Sequence, residues 1–366
     1  MNRFRPTVVE VDLGAVRHNI RALTSPGSQV MAIVKGDAYG HGAVPVARAA
    51  LGAGATGLGV ALVEEGIQLR DAGIDAPILV LSEFPRGSEK DALASWLTPT
   101  VYSEAGVAAV AEAAKAVGRP TAVHLKVDTG MHRVGLWPPE AAPELGRRIV
   151  DVDLTLGGLW THFASAESDD DTTRGQLDRL LRATAAVRSV GIEPTLLHAA
   201  NSAATIRFPE SHLDLVRPGV AIYGLAAGPG LDAGLRPALS WRSAVTMVKR
   251  LPAGERISYG QTYTLERDAT VATVPVGYED GFSRLLSNRA EVLIGGVRRR
   301  VAGTVTMDQI VVDCGDDDVA VGDDVVLIGV QGTERISAEE LAGHIGTIGY
   351  EIVCGISDRV PREHRG

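Results

Sequence analysis

Residues 30–63 read VMAIVKGDAYGHGAVPVARAALGAGATGLGVALV, and their pattern decides the fold. VMAIVK (30–35) is an unbroken apolar run, as a strand covered by helices on both faces requires. A glycine-rich loop follows, then an alanine-rich helical stretch at 43–53, then a second apolar strand, GLGVALV (57–63). The unit repeats downstream. A helix is expected near Glu64, then PILVLS (77–82) with a helix through 89–96, and PTVYS (99–103) with a helix at 105–118. TAVHLKVD (121–128) precedes a helix near 139–150, and LTLGGLWTHF (154–163) precedes a long helix at 174–190. TLLHAAN (195–201) leads into a short helix, and LDLVRPG (213–219) closes the series. Eight such units in roughly 220 residues fit an α/β fold of the (β/α)8 TIM-barrel type, whose usual length is about 250. A doubly wound open sheet competes, but no GxGxxG follows the first strand.

After residue 235 the texture changes. Alternating runs replace helical patterns until about 337–346: WRSAVTMVKRL, ATVATVPVGY, AEVLIGGVRRRVAGTVTMDQIVVD and DDVVLIG, separated by turn clusters such as GDDD (315–318). A second, mostly antiparallel β domain is expected over 235–366, after a barrel at 13–234. A short strand at 8–12, within residues 1–12, is expected to pair with that second domain. Of 366 residues, 45% are hydrophobic and 22% charged, which excludes a disordered chain. The net charge of -9 argues against a nucleic-acid partner, and the basic run Arg298-Arg299-Arg300 reads as a solvated strand end. Two cysteines, Cys314 and Cys354, provide neither a disulfide framework nor zinc-ligand spacing. No run approaches the ~18 apolar residues of a membrane span. Glu10 and Asp12 stand where a secretory segment needs apolar residues, so the protein is expected to be cytoplasmic.

In a β/α barrel, chemistry gathers at the carboxyl ends of the strands. That rule selects Lys35 at the end of the first strand with Tyr39 and His41 beyond it, and Lys126 and Asp128 on the fifth with Arg133 beyond it. It also selects His162 after the sixth, Asn201 and Ser202 after the seventh, and Arg217 to Gly219 after the eighth. Each alone has a bland reading, such as a snorkelling lysine or a core histidine. Their convergence on one rim is harder to dismiss, because buried ionisable groups are costly. A desolvated lysine suits Schiff-base chemistry, and Ser202 and Gly219 lie where barrels hold phosphate. Together they point to pyridoxal 5'-phosphate.

These residues also carry a resemblance. AIVKGDAYGHG (32–42), KVDTGMHRVG (126–135), WTHFASAE (160–167), HAANSAA (198–204), VRPGVAIYG (216–224), ISYGQTY (257–263), VPVGYEDGFSR (274–284), VTMDQ (305–309) and GYEIVCGISDRVPR (349–362) resemble the alanine racemases, in order and over nearly the whole chain. The resemblance implies that Lys35 carries the cofactor and serves as one base, with Tyr259 as the second. Tyr39, Ser202, Gly219, Val220 and Tyr350 would hold the phosphate, with Asn201 beside Ser202, and Leu81 would line the pocket. Arg217 would face the pyridine nitrogen with His162 hydrogen-bonded behind it. Arg133, Tyr278 and Met307 would meet the substrate carboxylate and narrow the approach. Lys126 matches a position that is carbamylated in some members. A homodimer is implied, with Tyr259 supplied by the partner subunit and its phenol acidified by His162 and Arg217.

Four positions depart from the family pattern: Gly36 for alanine, Gly349 for proline, His132 for a small residue, and Thr306 for serine or cysteine. None removes a catalytic group; His132 and Thr306 bear on substrate breadth. The expected activity is interconversion of L- and D-alanine. The enzymic alternatives are a serine or broader amino-acid racemase and a decarboxylase of the same barrel type. Arg217 argues against the decarboxylase, which would place an acidic residue at the pyridine nitrogen. A single-barrel pyridoxal-phosphate-binding protein is the non-enzymic alternative, and the second domain argues against it.

Overall fold

The computed structural model describes every residue except 1–3, 229 and 232, so the start of the expected 1–12 segment lies outside the described residues. The chain divides into two compact units. One comprises Ala15–Ala38 and Gly42–Arg236; the other comprises the segment ending at Gly14, Tyr39–His41 and Pro237–Gly366.

The first unit is a parallel barrel in two runs. Gln29–Ile33, Gly57–Val60, Ile78–Val80 and Leu97–Thr98 pair in sequence, with Leu215–Val216 on the far side of Gln29–Ile33. Thr100–Val101, Thr121–Lys126, Leu154–Trp160 and Leu196–His198 form the second run. PTVYS was expected as one strand; the structure instead breaks the fourth strand at Pro99. Proline has no N–H to give a ladder, so Leu97–Thr98 pairs backward and Thr100–Val101 forward, while the Pro99 carbonyl accepts from His124 N at 2.9 Å. The other seam closes between the seventh and eighth strands. There Asp214 N donates to Leu197 O at 3.1 Å, Leu197 N to Asp214 Oδ2 at 2.7 Å, and Arg217 N to Ala200 O at 2.9 Å.

Helices follow the strands as the apolar spacing requires. Helix Glu104–Val117 starts on the Ser103 side chain, which accepts Gly106 N, and ends on Gly118 at φ 73°. The long helix begins at Asp170, four residues before its expected start, because Asp169 caps it through Thr172 N. GDAYGHG, expected as a loop, instead coils into a left-handed turn. Gly36, Asp37, Ala38, Tyr39 and Gly40 have φ of 62°, 50°, 54°, 54° and 78°. Each non-glycine residue held this way costs about 1–2 kcal/mol. Glu65 Oε1 accepts Gly36 N at 2.6 Å and Asp37 Oδ1 accepts Ala43 N at 2.7 Å, which anchors both ends of the turn.

The second unit is a ten-stranded, mostly antiparallel sheet. Val8–Asp12 lies inside it, antiparallel to Leu239–Ala244 and parallel to Arg362–Arg365. Tyr39–His41 groups with this unit through its tail: Arg362 Nε donates to Gly40 O at 3.1 Å, and His364 Nε2 lies 2.8 Å from His41 O. The arginine run at 298–300 is not the solvated strand end expected. Arg298 pairs with Glu291, Glu334 and Glu340, and Arg299 is buried with a contact to Asp317. Strand alternation turns Arg298 toward three carboxylates, Glu291 on the adjoining strand and Glu334 and Glu340 far off in sequence. Beyond the expected helix, found at Ala338–Ile345, a short helix Gly349–Cys354 carries Tyr350. No helix among the described residues is long and apolar enough to cross a membrane.

At Gly36 an added Cβ would meet nothing within 4 Å, so Gly36→Ala tests backbone strain alone. It is expected to lower stability by about 1 kcal/mol, read from the urea midpoint at unchanged slope. An unchanged or raised midpoint would contradict the strain assigned to this turn.

Candidate active site

Lys35 stands two residues beyond Gln29–Ile33, half-buried, on backbone fixed from three sides. Val34 N donates to Gly59 O at 2.9 Å, Ile33 N to Pro218 O at 3.1 Å, and the Tyr223 hydroxyl to Ile33 O at 2.8 Å. Glu65 ties Gly36 N to the amides of Ala61 and Leu62. Leu81 follows Ile78–Val80, half-buried, its amide on Val60 O at 2.9 Å.

Arg217 is buried at 3% exposure and has no carboxylate partner among the described residues. Its guanidinium donates to His198 Nδ1 at 2.8 Å, Thr161 O at 2.7 Å and Ala199 O at 3.0 Å. The histidine behind Arg217 is therefore His198, not His162 as expected. The two follow neighbouring strands, and of them His198 is the one hydrogen-bonded to the guanidinium, while His162 feels its charge. Since a guanidinium only donates, His198 is neutral with its proton on Nε2, which faces His124 Nδ1 at 2.9 Å. Burial, then Arg217, pushes His124 down to about 4; burial, Arg217 and His124 keep His198 well below the usual imidazole range. Burial lowers Arg217 itself to about 9, still charged at neutral pH. The Trp160 ring stacks on His198 at 12°, with Arg217 Cζ 4.6 Å and Lys126 Nζ 4.4 Å from its centre.

Lys126 is 4% exposed, and its amine is pushed down to about 7 by burial, then by Arg217 and Arg133, with Asp128 opposing and Lys35 adding. His162 is held well below its ordinary value by burial and by the same four cations, Arg217, Lys126, Arg133 and Lys35. Arg133 rides on a closed loop. Leu136 N donates to Lys126 O at 2.8 Å and Asp128 N to Leu136 O at 3.0 Å, while Asp128 Oδ1 accepts the amides of Gly130, Met131 and His132. His132, at φ 53°, places its ring edge-on to Trp137 and Nδ1 3.6 Å from Asp128 Oδ2.

Ser202 is 5% exposed and accepts Gly219 N at 2.8 Å and Ala221 N at 3.2 Å, leaving its own O–H without an acceptor among the described residues. That unspent donor, beside Val220 and Gly219, suits an anionic oxygen. Asn201 caps the following helix through Ala204 N at 3.0 Å, which fixes Ser202 as its first residue.

The remaining candidates lie in the second unit. Burial, then Cys354 and Tyr350, pushes the Tyr39 phenol far above its ordinary value. Tyr278 and Met307 are exposed and laced together: Tyr278 N donates to Thr306 O at 3.0 Å and Glu279 N to Met307 O at 3.2 Å. Beneath them the fully buried Asp280 accepts Gly277 N at 3.0 Å and pairs with Arg5 at 2.7 Å. Tyr259 is 75% exposed.

Sequence reasoning passed over His198, His124 and Trp160. Their signal was polar or aromatic residues inside otherwise apolar strands. It also passed over Gln176, buried in the long helix, which accepts Ala164 N at 2.8 Å and donates to His162 O at 3.2 Å.

Comparison with known proteins agrees along the whole chain. Residues 11–227 match the family model for the alanine racemase N-terminal domain, and residues 238–364 that for the alanine racemase C-terminal domain. An alanine racemase of Symbiobacterium thermophilum is 51% identical, over 100% of this chain and 99% of its own length. The crystal structure of alanine racemase from Streptomyces lavendulae superposes with a TM-score of 0.95 at 41% identity, covering 100% of this chain and 98% of that one. That from Bacillus anthracis with bound L-Ala-P gives 0.91 at 37% identity, covering 100% and 96%. The fold is thus an α/β barrel followed by a mostly antiparallel β domain, and the chain belongs to the alanine racemase family.

Proposed function

We infer that this chain is a pyridoxal-phosphate-dependent racemase interconverting L- and D-alanine. The observation that carries the reading is the buried Arg217, held by His198 Nδ1, Thr161 O and Ala199 O with no carboxylate partner among the described residues, in a site where Lys35, Arg133 and the partly neutral Lys126 also act on His162. So much positive charge around a buried floor fits a phosphorylated cofactor and a substrate carboxylate. When bound, pyridoxal phosphate supplies an electron sink for the charge left on the substrate α-carbon.

The chain's own groups do the rest. Lys35 Nζ would anchor the cofactor and carry a proton on one side of the substrate α-carbon, and Tyr259 Oη would carry one on the other. Proton removal on one side and return on the other inverts the centre. Arg217 would face the pyridine nitrogen of the bound cofactor, and its fixed charge would disfavour a second proton there. Ser202 O–H, with Gly219 and Val220, would hold the phosphate, a role that the resemblance extends to Tyr39 and Tyr350. Leu81 and His162 would line the cofactor, Arg133 would take the substrate carboxylate, and the resemblance gives Tyr278 and Met307 a part in the same recognition. A pocket separates substrates that differ by one small group by only about 1–3 kcal/mol, so slow turnover of serine is expected. The protein acts as a homodimer in which Tyr259 of one subunit serves the Lys35 of the other.

Lys126 is the residue open to carbamylation, because only a neutral amine attacks carbon dioxide, releasing a proton. Its depressed value leaves much of it neutral near pH 7. The carbamate, an anion beside Arg133, would orient that guanidinium. In 13C-bicarbonate the protein is expected to show a carbamate signal that fades as pH falls below about 7 and is lost in Lys126→Ala. A spectrum identical in wild type and variant would contradict it.

The function and the shared site are tested together with Lys35→Ala and Tyr259→Phe. Each alone is expected to lose essentially all alanine racemisation. Unfolded, mixed in equal amounts and refolded, they are expected to recover about a quarter of wild-type activity, because half of randomly paired dimers are mixed and each has one intact site. An active Lys35→Ala protein would overturn the function. Mixed dimers that stay inactive would overturn the shared site.

A further inference from the structure

We propose that Ser258 and Thr304 are positioning residues that fix Tyr259 for proton transfer. The proposal rests on the reading of Tyr259 as a base and deepens it. The Tyr259 hydroxyl makes no hydrogen bond among the described residues and the residue is 75% exposed, so within its own subunit only its backbone fixes where the phenol stands. That backbone is held in an unusual shape. Ser258 has φ 63° and ψ -174°, a region that is essentially glycine's alone, and Gly260 and Gln261 follow at φ 72° and 49°. Strain of this kind persists only where neighbours enforce it, and it gathers at functional sites.

The neighbours are specific. Ser258 Oγ donates to Thr304 O at 2.7 Å, and Thr304 Oγ1 donates back to Tyr259 O at 2.8 Å. Two hydroxyls, one on each side, thus tie consecutive residues of the turn to Thr304, which lies in the connection between Val297–Val301 and Ile310–Asp313. Gly303 lets the two segments come this close: a Cβ there would lie 2.7 Å from Ile257 O and 2.8 Å from Ser258 Cβ. Gly303 N is itself held by Asn288 Oδ1 at 2.6 Å, and Gln261 N closes the turn on Ser258 O at 3.0 Å. Thr304 is 8% exposed, so this hydroxyl serves the turn rather than solvent. A displacement of about 1 Å in a reacting group can cost up to a hundredfold in rate. A clamp on the tyrosine's main chain therefore acts on rate more than on stability.

The test uses the cofactor-loaded dimer with Ser258→Gly, Thr304→Val, Thr304→Ser and Tyr259→Phe. Ser258→Gly removes the hydroxyl but also relieves the strained backbone, so its Tm is expected to hold or rise while kcat falls on the order of tenfold at nearly constant KM for alanine. Thr304→Val is expected to lose kcat similarly and to speed hydrogen exchange at the Gln261 amide, whereas Thr304→Ser restores both. With α-deuterated alanine the isotope effect is expected to rise for one enantiomer only, since one proton carrier of two is displaced. Wild-type kcat in both Ser258→Gly and Thr304→Val overturns the proposal. So does a loss that follows Tm and raises the isotope effect equally for both enantiomers. Full activity in Tyr259→Phe instead overturns the underlying reading of the base, and the proposal with it.

Discussion

A guanidinium charge buried without a counter-carboxylate is the constraint on which the site depends. Arg217 is satisfied by three neutral acceptors, His198 Nδ1, Thr161 O and Ala199 O. Leaving those acceptors unmade would be costly in a dry interior. The charge dictates the state of everything near it. His198 must present a lone pair, His124 must present one to His198, and Lys126 loses its preference for a proton. A site so arranged already repels further positive charge and holds a place for anions. The ends of the sixth, seventh and eighth strands supply all three acceptors and the arginine, so barrel closure and active-site electrostatics are one problem.

Precision elsewhere comes from backbone forced into uncommon shapes and pinned there. The left-handed turn after Lys35 is tied by Glu65 and Asp37. The loop bearing Arg133 is tied by Asp128, which gathers three amides on one oxygen. The turn bearing Tyr259 is tied by Ser258 and Thr304. In each case a residue proposed for the site lies beside or within a pinned, positive-φ segment, which is where stored strain is expected to serve function.

Barrel strands were legible in the sequence because burial on both faces makes them uniformly apolar, and the rule that chemistry follows their carboxyl ends pointed to Lys35, Lys126 and Arg217, which the structure brings close enough to act on His162. What was not legible depended on partners distant along the chain. PTVYS looked like one strand because nothing local says that Pro99 hands the ladder from one neighbour to the next. Arg298-Arg299-Arg300 looked solvated because Glu291, Glu334 and Glu340 reach it only after the sheet has formed. His162 and His198 both end apolar strands, and only the packed geometry shows that His198 meets the guanidinium. The strain at Ser258 leaves no trace in composition, since serine is an ordinary turn residue.

The central claim is that Arg217 remains charged and keeps the cofactor's pyridine nitrogen free of a proton. The most direct measurement is the 15N chemical shift of that nitrogen in protein loaded with 15N-labelled pyridoxal phosphate. An unprotonated shift across neutral pH, moving to the protonated value in Arg217→Glu, is what this account predicts. A protonated nitrogen in the wild-type protein would contradict it.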